Sequence, residues 1–210
     1  MNILFVVIEF LVGSLMFSYW LGIAVKSDLR LVGDGNPGAF NLWHAAGFKL
    51  GILGIFLDFM KGYLPLVILI ECGFIKGLSI VPVAMAPILG HAFSPFLKFR
   101  GGKAIAVTFG VWSAITRFEV SFVYAVILAI LLLIVKLLKS GKPVANEVDG
   151  FMVVAGMFAL GIYLIIRAFP QYLIILWLCN LLLLTYTNKT KLHKLFKTIY
   201  YKRNDINGSF

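Results

Sequence analysis

Residues 119–138 read EVSFVYAVILAILLLIVKLL, and the kind of protein this chain forms follows from that stretch. Its apolar residues run in an unbroken block, without the alternation of a half-buried strand or the single stripe of a surface helix. A block of roughly 18 or more such residues reads as a helix crossing a bilayer, because lipid offers the backbone no hydrogen-bond partner and only internal bonding satisfies it. Working outward, similar blocks predict spans at about 2–25, 49–72, 78–94, 104–116, 149–166 and 168–186. The third and fourth are the shortest, and the sixth and seventh are divided only by Arg167 and Pro170.

The composition agrees with this reading. Of 210 residues, 61% are hydrophobic and 13% charged, whereas a soluble domain carries about 25% charged residues. The chain therefore reads as a single polytopic membrane domain over 1–210, all-α, with about seven transmembrane helices and a basic tail from about 187. The first block is read as a span and not as a leader peptide, since it lacks a basic n-region, contains Glu9 and shows no cleavage site. The net charge of +10 is spread over short loops and the tail without forming a soluble basic face, which argues against a nucleic-acid partner. Cys72 and Cys179 form neither a disulfide framework nor a metal spacing, and no metal constellation is expected.

Charge also orients the chain. With seven spans, the loops after spans 1, 3 and 5 and the tail share one side. They hold Lys26, Arg30, Lys49, Lys98, Arg100, Lys103, Lys136, Lys139, Lys142 and six further lysines and arginines beyond residue 187. The other side holds Lys76, Arg117 and Arg167. The positive-inside rule then predicts the N-terminus outside and the C-terminus cytoplasmic. In the tail, Leu192, Leu195, Phe196 and Ile199 recur at helical spacing among lysines, the pattern of a basic helix on an anionic leaflet.

Two segments on the basic side carry chemistry. The first, Gly33-Asp34-Gly35-Asn36-Pro37-Gly38-Ala39-Phe40-Asn41, is an irregular turn in which backbone N–H groups can converge on an anion. An ordinary inter-helix turn has the same composition. The second runs from His91 through Ser94, Lys98, Arg100, Gly101 and Gly102 to Lys103 and then enters an apolar span. Its glycines let a backbone approach a phosphate, Arg100 and Lys103 supply charge, and a helix N-terminus favours an anion there. It is no nucleotide P-loop, because the required spacing is missing. Within span 2, Asp58 and Lys61 stand three residues apart on one helical face. They either pair with each other or let Lys61 reach a polar pocket. Charges at that depth cost about 3 kcal/mol each. Glu9 is a further intramembrane charge without an assigned role.

The segments GDGNPGAFN, DFMKG and GHAFSPFLKFRGGKA, in that order and spacing, resemble the bacterial acyl-phosphate:glycerol-3-phosphate acyltransferases. LVGSLMFSYWLG resembles the family's first span, with Met16 where proline is usual. The resemblance covers spans 1 to 4; beyond about residue 115 it rests on hydrophobicity and length. It implies an enzyme of the bacterial inner membrane with cytoplasmic site loops. It would move a fatty acyl group from acyl phosphate to sn-glycerol 3-phosphate, yielding lysophosphatidic acid and phosphate in phospholipid synthesis, without coenzyme A or another cofactor.

Carried over residue by residue, it implies that His91, Asn36 and Lys103 are catalytic. Gly35, Gly38 and Asn41 would line a substrate-facing turn, Lys61 and Arg100 would bind phosphate, and Gly101 and Gly102 would admit a phosphate to the backbone. The chain departs from the family at Asp34 (usually serine), Phe40 (threonine) and His44 (arginine). The final histidine, asparagine and glutamate of the family correspond in the nearest register to Asn188, Lys191 and Tyr200. A carboxylate at 34 would repel phosphate unless protonated, metal-bound or turned away. These departures keep open a weak or inactive relative that binds lipid or phosphate, or an enzyme with another acceptor.

Overall fold

The computed structural model of the chain describes residues 3–138 and 146–207. Lys139 and Lys142, counted in the charge bias, lie outside the described residues, as do the side chains of Lys202 and Arg203. Every regular element among the described residues is helical: α1 (Ile3–Gly13), α2 (Phe17–Ala24), α3 (Ala39–Ala46), α4 (Phe48–Glu71), α5 (Ile80–Ala92), α6 (Ile105–Thr116), α7 (Glu119–Leu138), α8 (Asn146–Ile166) and α9 (Gln171–Asn207). Among the described residues six segments are long and apolar enough to cross a bilayer: Ile3–Ala24, Phe48–Glu71, Gly77–Leu97, Glu119–Leu138, Glu147–Ile166 and Gln171–Tyr201. The remaining expected span is α6, whose 12 residues extend only about 18 Å against a hydrocarbon core of about 30 Å.

Two expectations need correction. The first span is not one continuous helix: it breaks at Ser14–Met16 although no proline stands there. The carbonyls freed by the break are satisfied by side chains, with Ser94 Oγ donating to Ser14 O at 2.7 Å and Lys61 Nζ donating to Leu15 O. Irregular backbone at membrane depth persists only where protein bonds it in this way. The basic tail is not a separate surface helix either. It continues α9, whose 37 residues extend about 55 Å, well beyond the bilayer core.

The helices are held by close backbone approach and by buried polar contacts. At the α4–α6 crossing a Cβ on Gly110 would lie 2.2 Å from Phe59 O, and one on Gly62 would lie 2.7 Å from Val107 O. At the α1–α5 crossing a Cβ on Gly90 would lie 2.2 Å from Phe10 O. Helices in lipid gain nothing by hiding apolar surface from one another, so close contact of this kind supplies the dispersion that holds them. Cross-helix hydrogen bonds add to it. Trp112 Nε1 donates to Asn180 Oδ1 at 3.0 Å, Asn180 Nδ2 to Thr108 Oγ1 at 3.2 Å, and Tyr124 OH to Val153 O at 2.9 Å. Helix α5 packs on α1, α4, α6 and α9 and lies at the centre. Glu9 is wholly buried in α1, with neither carboxylate oxygen partnered among the described residues.

A second, smaller apolar cluster of Met16, Tyr19, Leu29, Leu42 and Leu97 seats the glycine-rich loops at one end of the bundle.

Candidate active site

The loop between α2 and α3 is organised from within by Asn41. This buried side chain stands in the first turn of α3, and its Nδ2 lies 2.7 Å from Val32 O, 2.9 Å from Asn36 O and 3.1 Å from Asp34 Oδ1. Gly33 and Gly35 take φ of +56° and +74°, the left-handed region in which a side chain would be strained. Asn41 therefore shapes the turn, its Nδ2 used within the loop, and it lines neither cavity. Gly35 and Asn36 line the cavity above it, and Gly38 lines a neighbouring one.

The second loop folds back onto the C-terminus of α5. Gly101 N–H donates to Ala92 O at 3.1 Å and Gly102 N–H to His91 O at 3.0 Å, satisfying carbonyls that a helix end leaves free. The two glycines are needed for this docking. A Cβ on Gly101 would sit 1.9 Å from His91 O, and one on Gly102 2.3 Å from His91 Nε2. The expectation that these glycines bring their backbone to a phosphate is corrected accordingly: they line the cavity, but their N–H groups are already donated to α5. Lys98, Phe99 and Ala104 take φ of 54°, 61° and 60°, a conformation costly for residues with a Cβ, and all three flank this docking point. Ser94 is buried and donates its hydroxyl to Ser14 O.

Below the loops lies a buried polar cluster. Asp58 Oδ1 is 2.8 Å from Lys61 Nζ and 3.8 Å from His91 Nδ1, and Ser18 Oγ donates to Asp58 Oδ2 at 2.6 Å. The structure does not bring Lys61, expected to bind phosphate, to either cavity. Its ammonium group is enclosed, paired with Asp58 and bonded to Leu15 O. Of the two readings left open for this pair, the structure has the internal ion pair, which additionally locks the break between α1 and α2. His91 stands between Asp58 and Gly102.

Two cavities meet above this cluster. One, of about 610 Å³, is largely apolar, walled by Ala39, Phe40, Trp43, Ile55, Ala106 and Phe109, with Asp58 and His91 also lining it. Two departures from the family sit side by side on its wall, the Phe40 and His44 rings meeting edge to face at 4.6 Å. The other cavity, of about 870 Å³, is basic, lined by Arg30, Arg100, Lys103, Lys189, Lys191 and Lys194. Asn36 and Lys103 line both. Ala104, Ile105 and Ala106 bring the first turn of α6, whose N–H groups lack helical partners, to the edge of the apolar cavity.

Asp34 is neither turned away nor left to repel. Its Oδ2 contacts Lys103 Nζ and lies 3.1 Å from Lys191 Nζ. Burial pushes its carboxyl up, but the hydrogen bonds and charges of the two lysines outweigh this and hold it well below the usual carboxylate range. Burial pulls Lys103 down to about 8, against the opposing pull of Asp34, with Lys191 lowering it further. Lys191 is the functional candidate that sequence reading missed. Although aligned to the family's last motif, it reads in sequence as one of several tail lysines, and only the continuation of α9 brings it to Asp34. Asn188 is buried and bonded to Leu184 O, while Tyr200 is exposed. Among the described residues no three His, Cys, Asp or Glu side chains gather as a metal site.

The sequence model of the glycerol-3-phosphate acyltransferase family matches residues 3–198. The chain is 39% identical over 204 residues to Glycerol-3-phosphate acyltransferase 1 of Thermotoga maritima, covering 95% of this chain and 100% of that one. It is 38% identical over 133 residues to Glycerol-3-phosphate acyltransferase of Aquifex aeolicus, covering 63% and 69%. Its fold is similar to the crystal structure of PlsY (YgiH), an integral membrane glycerol 3-phosphate acyltransferase, in the glycerol 3-phosphate form. That superposition has a TM-score of 0.80 at 26% identity and covers 93% of this chain and 92% of that one. The lysophosphatidic acid form of that protein superposes with a TM-score of 0.78 at 25% identity.

Proposed function

This chain belongs to the glycerol-3-phosphate acyltransferase family, and from that premise we propose that it transfers a fatty acyl group from an acyl phosphate to sn-glycerol 3-phosphate. One observation carries the reading: an apolar cavity and a basic cavity meet, and Asn36 and Lys103 stand at their junction. An acyl phosphate has an apolar chain and an anionic head, so its chain suits the first cavity and its head the junction. The acceptor is small, polar and dianionic and suits the second.

In the reaction the acceptor hydroxyl oxygen attacks the acyl carbonyl carbon. The bond from that carbon to the phosphate oxygen breaks, and inorganic phosphate leaves with the electron pair and takes up the hydroxyl proton. The donor is already activated, so the protein's work is orientation and neutralisation of charge. Lys103, which lines both cavities, reaches the phosphates of donor and acceptor, the free N–H groups at the start of α6 face the donor's phosphate, and Asn36 positions the reacting groups. His91, packed against Gly102 with its Nδ1 3.8 Å from Asp58 Oδ1 and without a hydrogen bond among the described residues, lines the floor of the junction. Arg100 adds charge to the acceptor side. The basic loops face the cytosol, where both substrates are made, with the N-terminus on the opposite side of the bacterial membrane.

The test uses purified protein in lipid nanodiscs with palmitoyl phosphate and glycerol 3-phosphate, following phosphate release and lysophosphatidic acid together. Both products should form in equal amounts. Lys103→Ala should lower kcat/KM by about a hundredfold or more while the protein still folds. Phosphate release without lysophosphatidic acid would mean hydrolysis and would sink the proposed transfer to this acceptor.

A further inference from the structure

The two oxygens of Asp34 do different work. Oδ1 faces its own loop and accepts from Asn36 N–H at 3.2 Å and Asn41 Nδ2 at 3.1 Å. Oδ2 faces the basic cavity, where it bridges the ammonium groups of Lys103 and Lys191. Those lysines come from separate parts of the chain, one from the loop before α6 and the other from α9. Their side chains are only 16% and 13% exposed. Two shielded cations would separate if nothing lay between them. Here one Asp34 oxygen directly contacts both, on the wall of a cavity that four other cations and Glu147 line, with the Asp149 carboxylate also acting on both lysines.

Bridging two ammonium groups is what a terminal phosphate oxygen does. Resting on the reading that this cavity receives phosphate substrates, we infer that Asp34 Oδ2 occupies the place of a substrate phosphate oxygen and that Lys191 joins Lys103 as a phosphate-binding residue. Binding is then an exchange of anions. A phosphate dianion brings about two charges and three acceptor oxygens and displaces the single carboxylate charge. A monoanionic carboxylate brings no more charge than Asp34 and competes with it less well than a phosphate dianion does. The exchange keeps the two lysines preorganised while the site is empty, and it lowers apparent affinity by the fraction of sites that Asp34 leaves open. It thereby sets the KM for the acceptor.

Asp34→Asn separates the two oxygens' roles. The amide oxygen can still accept the turn bonds that Oδ1 takes, while the negative charge on the lysine side is lost. The full chain in nanodiscs, without acyl donor, is titrated calorimetrically with inorganic phosphate. Asp34→Asn should bind phosphate about tenfold more tightly, and Lys191→Met about tenfold more weakly. The double variant should bind more weakly than Asp34→Asn alone, since Lys191 touches phosphate and does more than balance Asp34.

Phosphate binding that is unchanged or weaker in Asp34→Asn overturns the displacement. Asp34→Ser repeats the measurement if the amide perturbs folding. A double variant equal to Asp34→Asn overturns the assignment of Lys191, and a wild-type chain that binds no phosphate overturns both. Because turnover is not needed, wild-type protein that binds phosphate but acylates nothing would count against the proposed reaction and leave this inference standing.

Discussion

Lys103 stands where the loop before α6, the glycine turn and α9 converge, and its protonation state follows from burial more than from its partners. Burial lowers its pKa to about 8, and the neighbouring Lys191 pushes in the same direction against Asp34. An ammonium donor is therefore present at neutral pH and is lost as pH rises through about 8. Phosphate monoesters are already dianionic there, having a second pKa of about 6, so the loss falls on the protein side alone. kcat/KM for glycerol 3-phosphate should fall by about tenfold per pH unit above that point. The fall should vanish in Lys103→Arg, whose guanidinium does not titrate in this range. A profile flat from neutral pH to pH ~9.5 in the wild type would show that Lys103 does not act as a charged donor. At the same scale, Gly102 illustrates a residue chosen for absence of volume: the space its Cβ would need is held by the His91 ring.

Helix α4 carries the buried Asp58–Lys61 pair and crosses α6 where Gly62 and Gly110 let the two backbones touch. The start of α6 follows Lys103, so this crossing sets the height of the junction between the cavities. Gly110→Leu puts a branched side chain where a Cβ alone would lie 2.2 Å from Phe59 O. It should destabilise the protein by about 3 kcal/mol or more. Leu133→Ala on the exposed face of α7 should change stability little. Thermal unfolding in detergent compares the two. Equal melting temperatures would mean that the crossing does not hold the bundle together. The break between α1 and α2 belongs to this scale as well. It persists without proline because Lys61 and Ser94 take up the carbonyls it frees.

Across the whole molecule, the basic cavity assembles the loop after the first span, the loop after α5 and the part of α9 beyond the apolar core. These are the segments that the charge bias assigns to the cytoplasmic side, while Lys76, Arg117 and Arg167 lie in the other connections. In a background with Cys72 and Cys179 replaced, a cysteine at Lys194 should react with a membrane-impermeant thiol reagent only after cells are opened. A cysteine at Lys76 should react in intact cells. The opposite pattern would invert the topology and place the site on the outer face.

What the sequence determined by itself was whatever depends on composition along the chain. Apolar blocks such as 119–138 require membrane helices because backbone groups cannot go unbonded in lipid. The order and spacing of GDGNPGAFN, DFMKG and GHAFSPFLKFRGGKA were sufficient to indicate the family. Pairing across the fold was not legible. Lys61 and Lys103 are both lysines beside glycine in family motifs, yet one is enclosed against Asp58 and the other reaches the cavity, and helix packing alone separates them. Asp34 looked repulsive because its partners lie 69 residues away and farther, on Lys103 and Lys191. The tertiary structure decided that a charge misplaced in its own loop is neutralised by two others, since Coulomb energy depends on distance in space and not on separation along the chain.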